Sequence, residues 1–328
     1  MASSSVGEPR GLLPGVDIAS GQRIPEDVVA KLPADTVGAG RVPAGVRLAV
    51  TGTARRLRLR LEPGSPTSVP APTGGDGLAV WVGGELVGRR SPATGTVELD
   101  LPARDPGTVV EIYLPEDRTW RIVEVTPLAG DLAAAPRGPR WIAYGDSITQ
   151  GWSVSAPGLA WPSVVARTLG LDLVNLGFAG SARGELPAAM AVARSQADVV
   201  TLAWGTNAWS SIPTDPAHIA ETMRLFLTTV RQGLPDVPVV VVSPILRPDA
   251  ETTPNRFGAT LAQLRTAIEE AVLRFAAERG DARLTLLPGL GLVSADQLVD
   301  GVHPGDVGHA AFAEGVAAVI DKALKARL

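Results

Sequence analysis

The feature that most constrains this chain is a change of rhythm near residue 130. Before it, short runs alternate apolar and polar residues: "VRLAV" at 46–50, "RRLRLRLE" at 55–62, "LAVWVGG" at 78–84, "TVELDL" at 96–101, "VVEIYL" at 109–114 and "WRIVEV" at 120–125. Strand side chains point to opposite faces with period two, so the leucines of "RLRLRLE" share one face and the arginines the other. Short alternating runs separated by Gly/Pro turns predict an antiparallel, jelly-roll-like β-sandwich over 15–130. Residues 1–14 read as a tail, and the arginine stripe as a solvated face.

"LAGDLAAAPRGPR" follows, and its Ala, Gly and Pro content marks residues 131–138 as a linker. Beyond it the apolar runs are no longer interrupted: "RWIAYG" (140–145), "LDLVNLG" (171–177), "DVVTLAWG" (198–205), "VPVVVVSP" (237–244) and "RLTLLPG" (283–289). Such runs suit strands covered on both faces, as in a parallel sheet. The segments between them have helical spacing. Ile219, Met223, Phe226 and Val230 form one stripe over 217–232, and a second helix is expected over 259–280. Residues 139–328 therefore predict a doubly wound α/β domain with a five-stranded parallel sheet.

Charge and composition remove several function classes. The 328 residues carry 30 Lys plus Arg against 34 Asp plus Glu, a formal net charge of −4, so no basic surface suggests a nucleic-acid partner. The chain has no cysteine, which excludes disulfides and thiolate chemistry. No run approaches the 18 apolar residues of a membrane span, and no secretory signal opens the chain, so no membrane partner and a cytoplasmic location are expected.

In open α/β sheets, ligands bind beyond the carboxyl ends of the strands. Polar residues and glycines gather there: Ser147 in "WIAYGDSITQGW", Gly180 in "VNLGFAGSARG", Asn207 in "AWGTNAW", and Asp300 with His303 in "VDGVHPGDVGH". "GDS" alone reads as a turn, with Asp146 a turn or cap residue, but a turn serine does not require the other three loops. A serine hydroxyl needs a base to take its proton, and histidine is the natural base near neutral pH. A carboxylate on its far nitrogen fixes the tautomer and stabilises the imidazolium. The backbone N–H groups of Ser147 and Gly180 and the Asn207 amide are candidate donors for a developing oxyanion.

Two other histidines compete. His218 opens the helix at 217–232 and reads as a surface residue. His309 repeats the Asp-x-x-His spacing with Asp306, but Asp306 reads as the N-cap of the last helix with His309 in its first turn. His303 is therefore the expected base. Asp300, His303, Asp306 and His309 together also resemble a Zn or Mn ligand set. That reading leaves Ser147, Gly180 and Asn207 without a role, so no metal and no cofactor are expected. Trp152 and Trp209 lie beyond strand ends and are candidates for lining a substrate cleft, whereas Trp161 and Trp204 read as core.

The blocks "GDSIT", "GFAG", "GTN" and "DGVH", in this order over roughly 138–328, resemble the four blocks of the SGNH or GDSL hydrolases. The resemblance implies a flavodoxin-like α/β/α fold, with Ser147 as nucleophile and oxyanion donor. It likewise implies Gly180 and Asn207 as the rest of the oxyanion hole, and Asp300 and His303 as the rest of the triad. Ile148 stands where the family usually has Leu. Ala208 stands where it usually has Asp, which bears on the shape of the acyl pocket. The preceding sandwich is similar to two-domain bacterial members that include carbohydrate esterases and acyltransferases.

The expected activity is that of a serine esterase cleaving small or medium acyl esters through an acyl-enzyme. Two alternatives stand beside it. One is an acyltransferase of the same mechanism with an alcohol acceptor; the other is an inert glycan-binding protein. The expected partner is a small-molecule acyl ester or acyl donor, with carbohydrate as a second class.

Overall fold

The computed structural model describes residues 7–17, 20–67, 77–92, 95–326. The first six residues of the expected tail lie outside them. Residues 7–14 are bound rather than trailing. Arg10 and Arg47 exchange backbone hydrogen bonds of 2.7 and 3.1 Å, and Leu13 is buried.

The alternating half forms two antiparallel sheets sharing one core. Its strands are β1 (Arg47–Thr51), β2 (Arg56–Pro66), β3 (Leu78–Val82), β4 (Glu85–Arg90), β5 (Thr96–Asp100), β6 (Val110–Tyr113), β7 (Arg118–Ala129) and β8 (Ala133–Ala134). The sheet orders are β4-β3-β6-β1-β8 and β5-β2-β7. On β2 the leucines are buried and the arginines exposed, as period two requires. The arginine stripe is solvated and pairs across strands: Arg56 with Asp100, Arg58 with Glu98, Arg60 with Glu124. β8, within the stretch expected as linker, hydrogen-bonds to β1 as an edge strand.

Two short helices, α1 (Glu26–Val29) and α2 (Ala34–Gly40), lie inside the stretch expected as sandwich. Their buried residues Val28 and Ala39 do not join the sandwich core. They pack with Ile142, Tyr144 and Phe178 of the second half. The helices are too short for a periodic stripe to show in the sequence.

The second half has a parallel sheet of β9 (Arg140–Gly145), β10 (Asp172–Gly177), β11 (Val199–Ala203), β12 (Val239–Val242) and β13 (Leu284–Leu287). The order is β10-β9-β11-β12-β13, the flavodoxin-like 2-1-3-4-5 arrangement. Helices cover both faces. Ile142 and Tyr144 of β9 pack toward α5 (Leu186–Ala193), α6 (Pro216–Gly233) and α7 (Leu261–Arg279). Trp141 and Ala143 pack toward α4 (Trp161–Leu169) and α8 (Asp306–Lys325). β9 to β12 are accordingly buried almost throughout, which is why their sequences run apolar without alternation. Ile219, Met223, Phe226 and Val230 face the core. Among the described residues, no helix is long and apolar enough to cross a membrane.

Candidate active site

The strand order reverses between β10 and β11, on either side of β9, and the polar loops meet above that point. Ser147 begins a one-turn helix, α3 (Ser147–Gln150), directly after β9. Asp146 caps it, accepting from the Ile148 N–H at 3.1 Å. Gly177 lets this turn sit on the sheet, because a Cβ there would lie 2.1 Å from the Gln150 nitrogen. The turn is then stitched to the next loop. Asn175 Nδ2 donates to the Thr149 carbonyl at 2.8 Å, and Gln150 Oε1 accepts from the Ala179 N–H at 3.0 Å.

Ser147 Oγ lies 2.8 Å from His303 Nε2, and His303 Nδ1 lies 2.7 Å from Asp300 Oδ2. The other Asp300 oxygen accepts the backbone N–H groups of Val302 and His303 at 3.0 and 2.8 Å. Burial alone would raise the Asp300 pKa, but the hydrogen bonds from the His303 ring and from these two N–H groups outweigh it and hold it below the usual value. The carboxylate therefore stays ionised and keeps the imidazole oriented through Nδ1. Ser147 and the Asp300–His303 pair, with His303 lying 156 positions further along the chain, thus form one hydrogen-bonded chain from carboxylate to hydroxyl.

Gly180 and Asn207 lie on the loops that follow β10 and β11. Gly180 takes φ 69°, a left-handed backbone that glycine adopts at no steric cost. Asn207 is the middle residue of a 3₁₀ turn (Thr206–Ala208), and one N–H of its amide donates to the Ser181 carbonyl at 2.5 Å; among the described residues none accepts from the second. Among the described residues, none accepts from the backbone N–H of Ser147 or Gly180. Asp146 joins the first loop to the third. Burial pushes its pKa up to about 6, while the N–H groups of Ile148, Thr206 and Gly205 pull the other way.

His309 is separate from this chain. It is fully buried, its Nδ1 accepts from the Trp161 N–H at 3.2 Å, and its Nε2 faces the Trp152 carbonyl at 3.4 Å. Burial lowers its pKa to about 4, so it is neutral at physiological pH. Asp306 is not the N-cap expected of it. Gly305 holds that position, and the Asp306 carboxylate instead accepts the Ser155 N–H and hydroxyl at 2.8 and 2.6 Å. The four residues weighed as a metal set are thereby divided between two places. No group of three or more His, Asp or Glu that could hold a metal converges among the described residues.

Trp152 is half-buried, with its ring centroid 5.8 Å from that of His303. Trp209 is turned toward another loop: its indole N–H donates to the Thr253 carbonyl at 2.7 Å and Arg247 stacks on its ring. Trp161 and Trp204 are in the core, and His218 is exposed. A pocket of about 130 Å³ borders Asn207, with Arg183 and His218 among its lining residues.

A model of the GDSL-like lipase/acylhydrolase family matches residues 140–321, more than half of the chain. The chain belongs to the GDSL-like lipase/acylhydrolase family. No curated protein matches it in sequence. Among solved structures it is similar to the salicylyl-acyltransferase SsfX3 from a tetracycline biosynthetic pathway. That likeness has 27% identity, covers 97% of both chains and has a TM-score of 0.78. It is also similar to a GDSL-like lipase from Bacteroides ovatus (22% identity, 97% of this chain and 96% of the other, TM-score 0.80). A family two carbohydrate esterase from Clostridium thermocellum, in complex with cellohexaose, shares the fold at 17% identity, covering 85% and 92%, TM-score 0.61. The first two likenesses run through both halves of this family member, the sandwich included.

Several supporting residues escape a reading of the sequence. Glu185 is buried and accepts hydrogen bonds from Tyr144 at 2.5 Å, Thr36 at 2.7 Å and Ser181 at 3.2 Å. Arg23 is buried against the end of β10, donating to the carbonyls of Asn175 and Gly177. Asn175 was open to detection, since an asparagine inside an otherwise apolar strand needs a reason. Thr36 and Arg23 carry no such signal.

Proposed function

We propose that this GDSL-family enzyme is a serine esterase that cleaves small or medium acyl esters through an acyl-enzyme at Ser147. The Ser147–His303–Asp300 hydrogen-bonded chain carries the reading. His303 Nε2 takes the hydroxyl proton as Oγ attacks the ester carbonyl. Asp300 balances the imidazolium that results. The N–H groups of Ser147 and Gly180 and the second Asn207 N–H receive the oxyanion; each such donor is typically worth roughly 3–4 kcal/mol in the transition state. His303 then returns the proton to the departing alkoxide. In the second half of the cycle it activates water in the same way. The substrate is a small-molecule ester, and Trp152 beside His303 is positioned to contact its alcohol part.

One observation favours a second reading, transfer of the acyl group to an alcohol. The likeness to the salicylyl-acyltransferase extends over 97% of both chains. Hydrolysis and transfer share every step up to the acyl-enzyme and differ in whether water or an alcohol is admitted. Incubation with a p-nitrophenyl ester and graded concentrations of alcohols or sugars separates them. Esterase action predicts free acid as the main product throughout. Saturable diversion of the acyl group to one alcohol class would establish the transferase. The same mixtures, quenched early, should carry the acyl group on Ser147.

A further inference from the structure

The side-chain amide of Asn207 is held at both ends. Its nitrogen donates to the Ser181 carbonyl at 2.5 Å, so the amide oxygen faces elsewhere. On that side stands Ser211, whose Oγ lies 3.1 Å from Asn207 Oδ1 and 3.5 Å from the Gly180 carbonyl oxygen. Both neighbours are acceptors, so the hydroxyl must donate, and the nearer of the two is Oδ1. One exposed hydroxyl thus touches both Gly180 and Asn207, the residues expected to complete the oxyanion hole.

Backbone bonds bring that hydroxyl back onto the amide. The N–H groups of Ser210 and Ile212 both donate to the Asn207 carbonyl, at 3.1 and 2.9 Å. The Thr214 N–H donates to the Ala208 carbonyl at 2.9 Å, and Asn255 Nδ2 secures the end of the segment through the Thr214 carbonyl at 2.9 Å. Ala208, next to Asn207, offers this loop only a methyl group. Among the described residues, the donor to Asn207 Oδ1 is Ser211.

We propose that Ser211 is a positioning residue of the oxyanion hole, whose hydroxyl fixes the Asn207 amide and strengthens its second N–H as a donor to the developing oxyanion. The proposal rests on the serine-esterase reading. An amide tethered through its nitrogen alone can swing about the bond to its side chain. Tethered through oxygen as well, it presents the second N–H in one direction before charge develops, which is what makes such a donor effective. A hydrogen bond to the amide oxygen also draws electron density from the nitrogen, so the remaining N–H donates more strongly. The role needs no contact with substrate. Its effect grows as charge gathers on the ester oxygen and is small in the ground state. Acylation and deacylation both pass through an oxyanion, so kcat carries the effect whichever step limits it.

The test measures kcat and KM for p-nitrophenyl acetate on wild type, Ser211→Ala, Ser211→Thr, Ser210→Ala, Asn207→Ala and the double variant of Asn207→Ala with Ser211→Ala. Ser211→Ala is expected to lower kcat about three- to tenfold, the worth of one hydrogen bond, with KM within about twofold. Ser211→Thr keeps the hydroxyl and should hold kcat within about twofold of wild type. Ser210→Ala changes the neighbouring hydroxyl, which accepts from Arg247, and should match wild type. Asn207→Ala should lose about a hundredfold or more. Adding Ser211→Ala to it should change kcat by less than about twofold, because the hydroxyl has no amide left to hold. Full kcat in Ser211→Ala, a loss carried by KM alone, an equal loss in Ser210→Ala, or the same loss with and without the Asn207 amide overturns the proposal and leaves the esterase reading standing. Wild-type turnover by Ser147→Ala overturns the esterase reading itself, and the role of Ser211 with it.

Discussion

Two histidines three residues from an aspartate carry the same sequence signature and opposite surroundings. His303 lies between Ser147 Oγ and Asp300, whereas His309 is sealed in the core against Trp152 and Trp161. His303→Ala should cut kcat at least about a thousandfold, as loss of a triad base does, while His309→Ala should keep most turnover and lose stability. Turnover and thermal melts of both variants check this. The buried ring also sets a pH window. Its pKa falls from the ordinary 6.5 unfolded to about 4 folded, so the stability it contributes is complete above pH 6.5. That contribution is lost as pH falls toward 4, because the unfolded chain binds a proton the folded chain refuses. Wild type should therefore lose stability relative to His309→Asn across this window, and denaturant melts at pH 4.5 and 7.5 measure it. Spacing in the sequence marked both histidines; burial, which separates them, depends on where α8 packs.

The elements that hold the loop after β10 come from well-separated parts of the chain. Strand β10 and the turn after it were legible, since an apolar run closing on glycine predicts both. The contribution of α2 was not, because a seven-residue helix leaves no periodicity and its contacts lie 145 residues away. Thr36 donates to Glu185, Glu185 also accepts from Ser181, and the Ser181 carbonyl holds the Asn207 amide. Thr36→Val should leave Glu185 short of one donor and cost about 1–3 kcal/mol of stability. On the proposed mechanism it should lower kcat severalfold with little change in KM, since it loosens the loop that holds the Asn207 amide and not the ground-state contacts. A change confined to KM would show that this network does not act through the Asn207 amide.

At the scale of the molecule, the two rhythms in the sequence correspond to two kinds of sheet, but the halves are not independent. Arg47 of β1 is buried between Glu111 of β6 at 2.6 Å and Asp172 of β10 at 3.9 Å, and Trp81 of β3 donates to the Pro157 carbonyl at 3.2 Å. Charges so placed in an apolar interface are invisible to a reading of composition, which sees only a chain of ordinary charge content. Arg47→Met leaves buried Glu111 without its cation, while Asp172 keeps Arg137 at 2.7 Å, and should cost about 3–5 kcal/mol. Both halves should melt in one transition, with the sandwich and the hydrolase signals lost together; two separate transitions would contradict a shared interface. The whole architecture converges on one hydroxyl at the end of β9. The most direct test is p-nitrophenyl acetate turnover by wild type and Ser147→Ala, side by side with a chelator present. The account predicts steady turnover by the wild type and background rates for the variant. Equal rates for the two proteins would contradict it.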